Sequence, residues 1–393
     1  MSLTDSDITD GFEGLWPSRR PRIYFDEASV NAAEILSALP VELVDAAVDA
    51  DVLWMRKNYR ERYEGLAPFQ AINHIPGEES MTRKGDLAEN LHSYGASDPQ
   101  GTFSHADFFQ PTYRLYDPDE RAAFFNQLPE VDHPDNLWIL KPTNLSRGIG
   151  VKVVWQLARL KKEFRKHGTI TFRHEGRELD YVIQRYIKNV LLLDGKKSEI
   201  RIYWLIASLD PLLVLMYREG TARYTMQPYK LEDFANPLIH ITNVYQQKKH
   251  GGLDPDAVLK WDFAGLEAYL SKEKSAPADF LEQVLRPRLR QCLGYVVRAT
   301  IERLRQTPAS GFFFGLYGAD FILDNTLTPW LTEIQKGPGL SYDDAVKQRV
   351  MPAMLKGAAR IVLEILSKKR KAEALTTLSS TRGYEWVIRE GDA

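Results

Sequence analysis

Asp320, Glu333 and Gln335 are the residues of this 393-residue chain whose types and spacing most invite chemistry. They lie in two runs, Gly318-Ala319-Asp320-Phe321-Ile322-Leu323-Asp324 and Pro329-Trp330-Leu331-Thr332-Glu333-Ile334-Gln335, joined by a short turn. Strand residues alternate faces, so Glu333 and Gln335 project to one side and Trp330, Thr332 and Ile334 to the other. A loop over Asn325–Thr328 sets Ile322 opposite Leu331 and Asp320 opposite Glu333, on a shared face. Like charges so placed destabilise a sheet unless a cation lies between them. Hard oxygen donors of this kind suit magnesium. On its own, the stretch fits a solvated, exposed hairpin equally well.

The other polar residues on strand-like runs form a matching set. Its cations are Lys141, Lys197, Arg201 and Arg223; Glu199 adds an oxygen donor, and Gln184, Thr242 and Asn243 are neutral hydrogen-bonding groups. Lys141 ends an otherwise apolar strand, Leu137–Lys141, and a lysine buried there needs an anionic partner. The loop after it holds Ser146-Arg147-Gly148, whose backbone N–H groups can wrap an oxyanion, although Walker A and Rossmann spacings are absent. Glu199, Arg201 and Tyr203 share a face opposite Ile200, Ile202 and Trp204. Cations around two carboxylates suit a polyphosphate held by magnesium and lysines. There is no Ser-His-Asp arrangement and no zinc-ligand spacing. The sole cysteine, Cys292, sits in an apolar helical stretch, and His74 beside Pro76-Gly77 reads as structural.

These residues need elements to carry them. Hydrophobic content of 44% and charged content of 26% are ordinary globular usage, and a net charge of -2 gives no global field for nucleic acid or an anionic membrane. One cysteine excludes an internal disulfide, and no signal peptide or membrane span is evident, so the expectation is a cytoplasmic monomer that engages neither nucleic acid nor membrane. A strand Pro21–Phe25, a helix entered near Ser29 and a strand near Val52–Met55 suggest a small α/β N-terminal domain. The segmentation is an arm over 1–20, that domain over 21–105, a central lobe over 106–190, a C-terminal lobe over 191–370 and a tail over 371–393. Within the last lobe, Leu212–Arg218 and Gly220–Thr225 read as two strands about a Glu219-Gly220 turn, and Met351–Leu366 as an amphipathic helix ending in a solvated basic run, Ser367–Lys371.

The order of motifs resembles the tubulin–tyrosine ligase-like family. The resemblance rests on Trp138–Gly148, Gln184-Arg185-Tyr186-Ile187, Gly195–Arg201, Tyr217–Gly220 with Arg223, Ile241-Thr242-Asn243 and Asp320-Phe321 through Glu333. Asn73–Gly77 and Lys84–Leu91 also match, and the likeness is collinear from about Arg22 to Ser341. It implies an α+β, ATP-grasp fold with ATP between two lobes. It also implies a ligase that forms an amide bond between a carboxylate and an amino acid's amine through an acyl phosphate, modifying a protein or peptide such as tubulin. By motif position, Lys141 and Lys197 would hold phosphates, under a loop of Ser146, Arg147 and Gly148. Gln184, Tyr186 and Ile187 would line the adenine pocket, with Glu199, Thr242 and Asn243 completing the nucleotide side. Asp320, Glu333 and Gln335 would hold two magnesium ions, and Arg201 and Arg223 would grip substrate carboxylates, with Glu333 counted as catalytic beside them. Two positions depart from the family pattern, Glu199 for Asp and Gln335 for Asn, each one methylene longer. They leave room for a small-molecule or non-tubulin peptide substrate, or for a nucleotide-binding relative with weak catalysis.

Overall fold

A computed structural model describes residues 16, 18–56, 63–97, 101–129, 131–167, 173–174, 177–252, 259–274, 276–306, 311–341 and 344–391. Most of the expected N-terminal arm, residues 1–15 and 17, lies outside this set.

The first segment alternates strands and helices: β1 (Arg22–Phe25), α1 (Val30–Leu36), β2 (Glu42–Val44), β3 (Val52–Trp54), β4 (Ala71–Asn73), α2 (Glu79–Thr82) and α3 (Lys84–Ser97). The central lobe follows with β5 (Thr112–Arg114), α4 (Pro118–Asn126), β6 (Trp138–Pro142), β7 (Lys152–Val154), α5 (Leu157–His167), a short pair β8 (Arg173–His174) and β9 (Arg177–Glu178), and β10 (Tyr181–Arg185). Its four-stranded antiparallel sheet runs β5-β10-β6-β7. Period-two alternation gives this sheet two characters. Trp138, Leu140, Tyr181 and Ile183 bury against Phe124, Leu157 and Leu160 of α4 and α5, while Ile139, Lys141, Val182 and Gln184 face the other way. Asp117 starts α4 by accepting from the Asp119 and Glu120 N–H groups.

The C-terminal lobe contains β11 (Leu192–Leu193), β12 (Lys196–Leu209), β13 (Leu212–Tyr224), α6 (Pro237–His240), α7 (Val244–Gly251), β14 (Lys260–Asp262), α8 (Phe263–Lys274), α9 (Arg286–Leu304), β15 (Phe312–Leu323), β16 (Pro329–Gln335), α10 (Ala345–Arg370) and β17 (Tyr384–Arg389). Ile202, Trp204, Ile206, Tyr317 and Phe321 pack on α8 and α9, whereas Tyr203, Leu205, Leu215, Phe314 and Leu316 pack under α10. Further along the second face the apolar residues give way to Glu199, Arg201 and Asp320. One sheet surface is therefore roofed by a helix at one end and carries charge at the other. The mixed α+β arrangement of two lobes is that of an ATP-grasp fold.

Four features depart from the sequence reading. The N-terminal segment is not a separate sheet: β4 pairs in parallel with Phe312–Phe314 of β15, so strands β2-β1-β3-β4 continue the sheet of the C-terminal lobe. Residues 371–393 contribute β17, which pairs with Leu213–Tyr217 of β13. The basic run at the end of α10 is not merely solvated, since Arg370 binds buried Asp51 at 2.7 Å alongside Arg19. Finally, the Glu219-Gly220 turn is a bulge inside one continuous strand, because β17 pairs with one half of β13 and β14 with the other.

At that bulge only glycine fits. A Cβ on Gly220 would lie 2.5 Å from Phe263 Cζ and 2.6 Å from the Arg201 carbonyl oxygen. Backbone cannot yield as a flexible side-chain tip would, so Gly220→Ala should destabilise the protein by about 1–3 kcal/mol. Urea unfolding measures this; an unchanged midpoint would mean that the strand relaxes freely there. No helix among the described residues is long and apolar enough to cross a membrane.

Candidate active site

The charged end of the large sheet faces the cleft side of the central lobe. Glu199 and Arg223 are cross-strand partners, as are Arg201 and Asp320, and Asp320 and Glu333. The register therefore brings five ionisable groups from four strands to one surface; of these pairings, the sequence expected that of Asp320 with Glu333. Asp320, 1% exposed, accepts from Arg201 Nε at 2.7 Å and Nη2 at 2.6 Å, from Arg223 Nη2 at 2.7 Å and from Gln335 Nε2 at 3.2 Å. Arg223 also donates to Glu199 at 2.9 Å. Gln335 bridges the acids by donating to Glu333 Oε1 at 2.5 Å. Burial lowers the affinity of Arg201 for its proton, but the adjacent Asp320 carboxylate outweighs it and holds the guanidinium above its ordinary range.

The expected opposition of Ile322 and Leu331 does not occur. Register slips by one after Asp320–Glu333, so Phe321 faces Leu331 and Ile322 faces Trp330. The extra residue is Thr332, and a bulge re-aims the side chain it displaces. Thr332, placed by alternation on the far side, turns into the site, donating to Glu199 at 2.8 Å while its carbonyl accepts from Lys141 at 3.3 Å. Alternation alone could not find it.

Lys141 reaches from the central lobe and donates to Gln184 Oε1 at 2.7 Å, while Gln184 donates to Thr112. Lys197 approaches from the C-terminal lobe and donates to the Tyr186 hydroxyl at 3.0 Å. Burial pushes Lys141 down to about 8 and Lys197 to about 7, only partly opposed by Glu333 and Glu199. Glu333 shows the reverse balance. Burial pushes it up, yet Lys84, the Gln335 amide, Arg201 and Lys141 hold it down at about 2. Lys84, whose ammonium lies 3.2 Å from Glu333 and bonds the Leu145 carbonyl, was not among the sequence candidates. Its signal was a lysine on the first residue of a helix, where the macrodipole disfavours a cation unless an acid compensates.

The Ser146-Arg147-Gly148 loop lies against α7. Gln246 donates to the Arg147 carbonyl at 2.8 Å, Arg147 stacks on Tyr245, and Gly148 at φ 67° leaves no room for a Cβ beside Ile241. Thr242 donates to Glu199, and Asn243 caps α7. Two adjoining cavities result. A narrow one of about 90 Å³ is lined by Lys141, Lys197, Glu199, Arg223, Asp320 and Glu333 among others. A broader one of about 680 Å³ is walled by Arg83, Lys84, Arg147, Arg201, Gln335 and Lys336, among others. Gln184, Tyr186 and Ile187 line neither cavity; Gln184 and Tyr186 stand behind the two lysines, and Ile187 is half-buried beyond them.

The residues fit an anionic ligand on one specific observation: Arg223 Nε is buried without a partner while Arg223 lines the narrow pocket beside both lysines. Asp320 and Glu333 also offer carboxylate oxygens of the kind magnesium takes, while Gln335 meets both through its amide nitrogen and would have to turn its oxygen inward to join them. Cys292 is buried in α9, where burial raises its thiol to about 12, so it offers no thiolate.

The profile of the Tubulin-tyrosine ligase family matches residues 59–372. Among curated relatives, the chain is 28% identical over 322 residues to a probable alpha-tubulin polyglutamylase, Ttll1, of Tetrahymena thermophila, covering 76% of this chain and 73% of that protein. It is 27% identical over 335 residues to the mouse tubulin polyglutamylase TTLL5, covering 82% of this chain and 23% of that protein. To the protein polyglycylase TTLL10 of Macaca fascicularis it is 30% identical over 309 residues, covering 75% and 48%. The chain thus spans less than half the length of the latter two.

Proposed function

Since the chain belongs to the tubulin–tyrosine ligase family, we propose that it is an ATP-dependent ligase joining the amine of an amino acid to a carboxylate of a protein. The observation that carries this reading is the narrow pocket, where two buried lysines and an orphaned arginine N–H face three carboxylates. A carboxylate does not react with an amine at neutral pH, because oxide would have to leave. Transfer of the γ-phosphoryl group to it makes an acyl phosphate, from which phosphate departs readily.

The chain's residues position and neutralise rather than react covalently. Lys141 and Lys197 would hold phosphate oxygens, with Arg223 Nε as a further donor and the Ser146–Gly148 backbone above them. Asp320, Glu333 and Gln335 would hold magnesium, which when bound neutralises phosphate charge. Arg201 faces the broad cavity and, with Arg223, would grip the substrate carboxylate and steady the oxyanion formed on amine attack. Water must be kept from the acyl phosphate, and the loop resting on α7 is placed to do this.

The activities named for the relatives, polyglutamylation and polyglycylation, make glutamate and glycine the first amino acids to test, and tubulin the first acceptor. ADP release should require both an amino acid and a protein acceptor, with Glu333→Gln as the blank. Wild-type release no greater than the blank across all standard amino acids and a range of protein acceptors would reject the reading.

The lysines add a pH dependence. Each carries its charge below its pKa and loses it above, so ATP binding should weaken as pH rises through about 7 to 8. Calorimetric titration should give a Kd at least about tenfold weaker at pH 9.5 than at pH 6.5. A flat profile would place the phosphates elsewhere.

A further inference from the structure

Behind Lys197 lies a chain of hydrogen bonds that the reaction scheme does not use. Lys197 Nζ donates to the Tyr186 hydroxyl at 3.0 Å. That hydroxyl meets His240 Nδ1 at 2.9 Å, and His240 Nε2 meets the Asp233 carbonyl oxygen at 2.9 Å. His240 is 2% exposed, and its ring lies among those of Tyr186, Tyr229 and Phe234.

The direction of every bond follows from chemistry. A carbonyl oxygen can only accept, so His240 Nε2 carries a proton. Burial, reinforced by the charge of Lys197, pushes the imidazole down to about 4, leaving it neutral at physiological pH and Nδ1 an acceptor. The Tyr186 hydroxyl must therefore donate to His240, which turns its lone pairs toward Lys197. Tyr229 gives its own proton to the Lys188 carbonyl at 3.1 Å, so toward Tyr186 its hydroxyl can only accept, and it too leaves the Tyr186 lone pairs for Lys197. The other charged groups acting on Lys197 are Glu199 and Lys141, on the pocket side.

We propose that His240 is a positioning residue: by holding the Tyr186 hydroxyl as an acceptor, it aims the Lys197 ammonium into the narrow pocket. This rests on the reading of that pocket as a phosphate site. The Asp233 carbonyl sets the tautomer, the tautomer sets the hydroxyl, and the hydroxyl places a cation that is almost wholly desolvated. Without the acceptor at Nδ1, the Tyr186 proton is held only by Tyr229 or turns toward an ammonium that cannot accept it, and the placement of Lys197 loosens. Such tuning through a second layer of residues is general where a charged group must meet a ligand precisely placed.

Two substitutions separate this role from simple packing. His240→Phe keeps an aromatic ring among its neighbours and removes the acceptor. His240→Asn removes the ring and keeps an amide oxygen able to accept near the Nδ1 position. The measurements are the ATP Kd by calorimetry, KM for ATP and kcat from ADP release, and thermal unfolding of each variant. Expected are a Kd and KM about tenfold weaker for His240→Phe with kcat within about twofold of wild type, and recovery to within about threefold for His240→Asn. Tyr186→Phe should match His240→Phe, and the double variant should be no weaker than either single one.

The opposite pattern, Phe tolerated and Asn impaired, would show a packing role and overturn the proposal, as would additive losses. Should His240→Phe not fold, the near-normal affinity of His240→Asn against the weakened Tyr186→Phe still decides the matter. If wild-type protein binds no ATP, the phosphate-site reading falls and this proposal with it. If wild type binds and His240→Phe binds equally well, only the positioning role is rejected.

Discussion

Glu333→Gln should lower ADP release by at least about a hundredfold to a thousandfold while leaving the protein folded. The substitution preserves shape and removes one charge. That charge is held unusually firmly, since Lys84, the Gln335 amide, Arg201 and Lys141 overcome burial and keep the carboxyl at about 2. A neutral amide would leave Lys84 and Lys141 without their shared counter-charge and would replace a hard anionic donor by a weaker one. Steady-state ADP release, with thermal unfolding as the control, measures the effect; more than a tenth of wild-type turnover would remove Glu333 from the chemistry. The variant should also show a different acid limb. The folded-state value lies below the ordinary 4.5, so ionisation of Glu333 contributes stability that is fully present above about 4.5 and is lost as pH falls toward 2. Glu333→Gln should lack that part of the wild-type decline.

Asp320→Asn should have the largest effect on stability, about 3–5 kcal/mol. Asp320 is the common acceptor for Arg201, Arg223 and Gln335 and is almost completely buried. Breaking a buried ion pair by removing one partner leaves the other charge desolvated and uncompensated; here Arg201 is left so, while Arg223 keeps only Glu199. The asparagine also turns an amide nitrogen toward groups that can only donate. With total stabilities of about 5–15 kcal/mol, the loss is a large share of what holds a protein together. Chemical denaturation gives the value directly. A loss below about 1 kcal/mol would mean that water reaches the arginines and that the cluster is less dry than its packing implies.

The site was readable wherever alternation ran unbroken. Parity put Glu199 and Arg201 on one face of their strand and Asp320 with Glu333 on one face of the hairpin, and the structure joins the two sets because the same parity sends Ile200, Ile202 and Phe321 into the core. Reading failed where a ladder gains an extra residue. Thr332 was assigned to the wrong face, and the bulge opposite Tyr203 passed for a turn, because Glu219-Gly220 has turn composition and a bulge leaves no distinct mark on composition. Contacts distant in sequence were equally hidden. Nothing in the local pattern of Arg370 announces Asp51, nor does that of His240 announce Tyr186, since both pairings depend on how elements pack after their own shapes are set. Residue type alone gathers the scattered polar groups into one set, and the family resemblance adds their order along the chain.

The parallel pairing of β4 with β15 also bears on how the chain is made. Its partners, Ala71–Asn73 and Phe312–Phe314, are separated by about 240 residues, a contact of high order that slows folding. At ribosomal rates of about 5–20 residues per second, β4 emerges on the order of ten seconds or more before its neighbour exists. During that interval the edge of the nascent β2-β1-β3-β4 sheet has no strand to cover it. The active-site strand β15 is thus also the piece whose late arrival closes the first-made part of the molecule, and a growing chain would be most open to aggregation or chaperone capture just before it is synthesised.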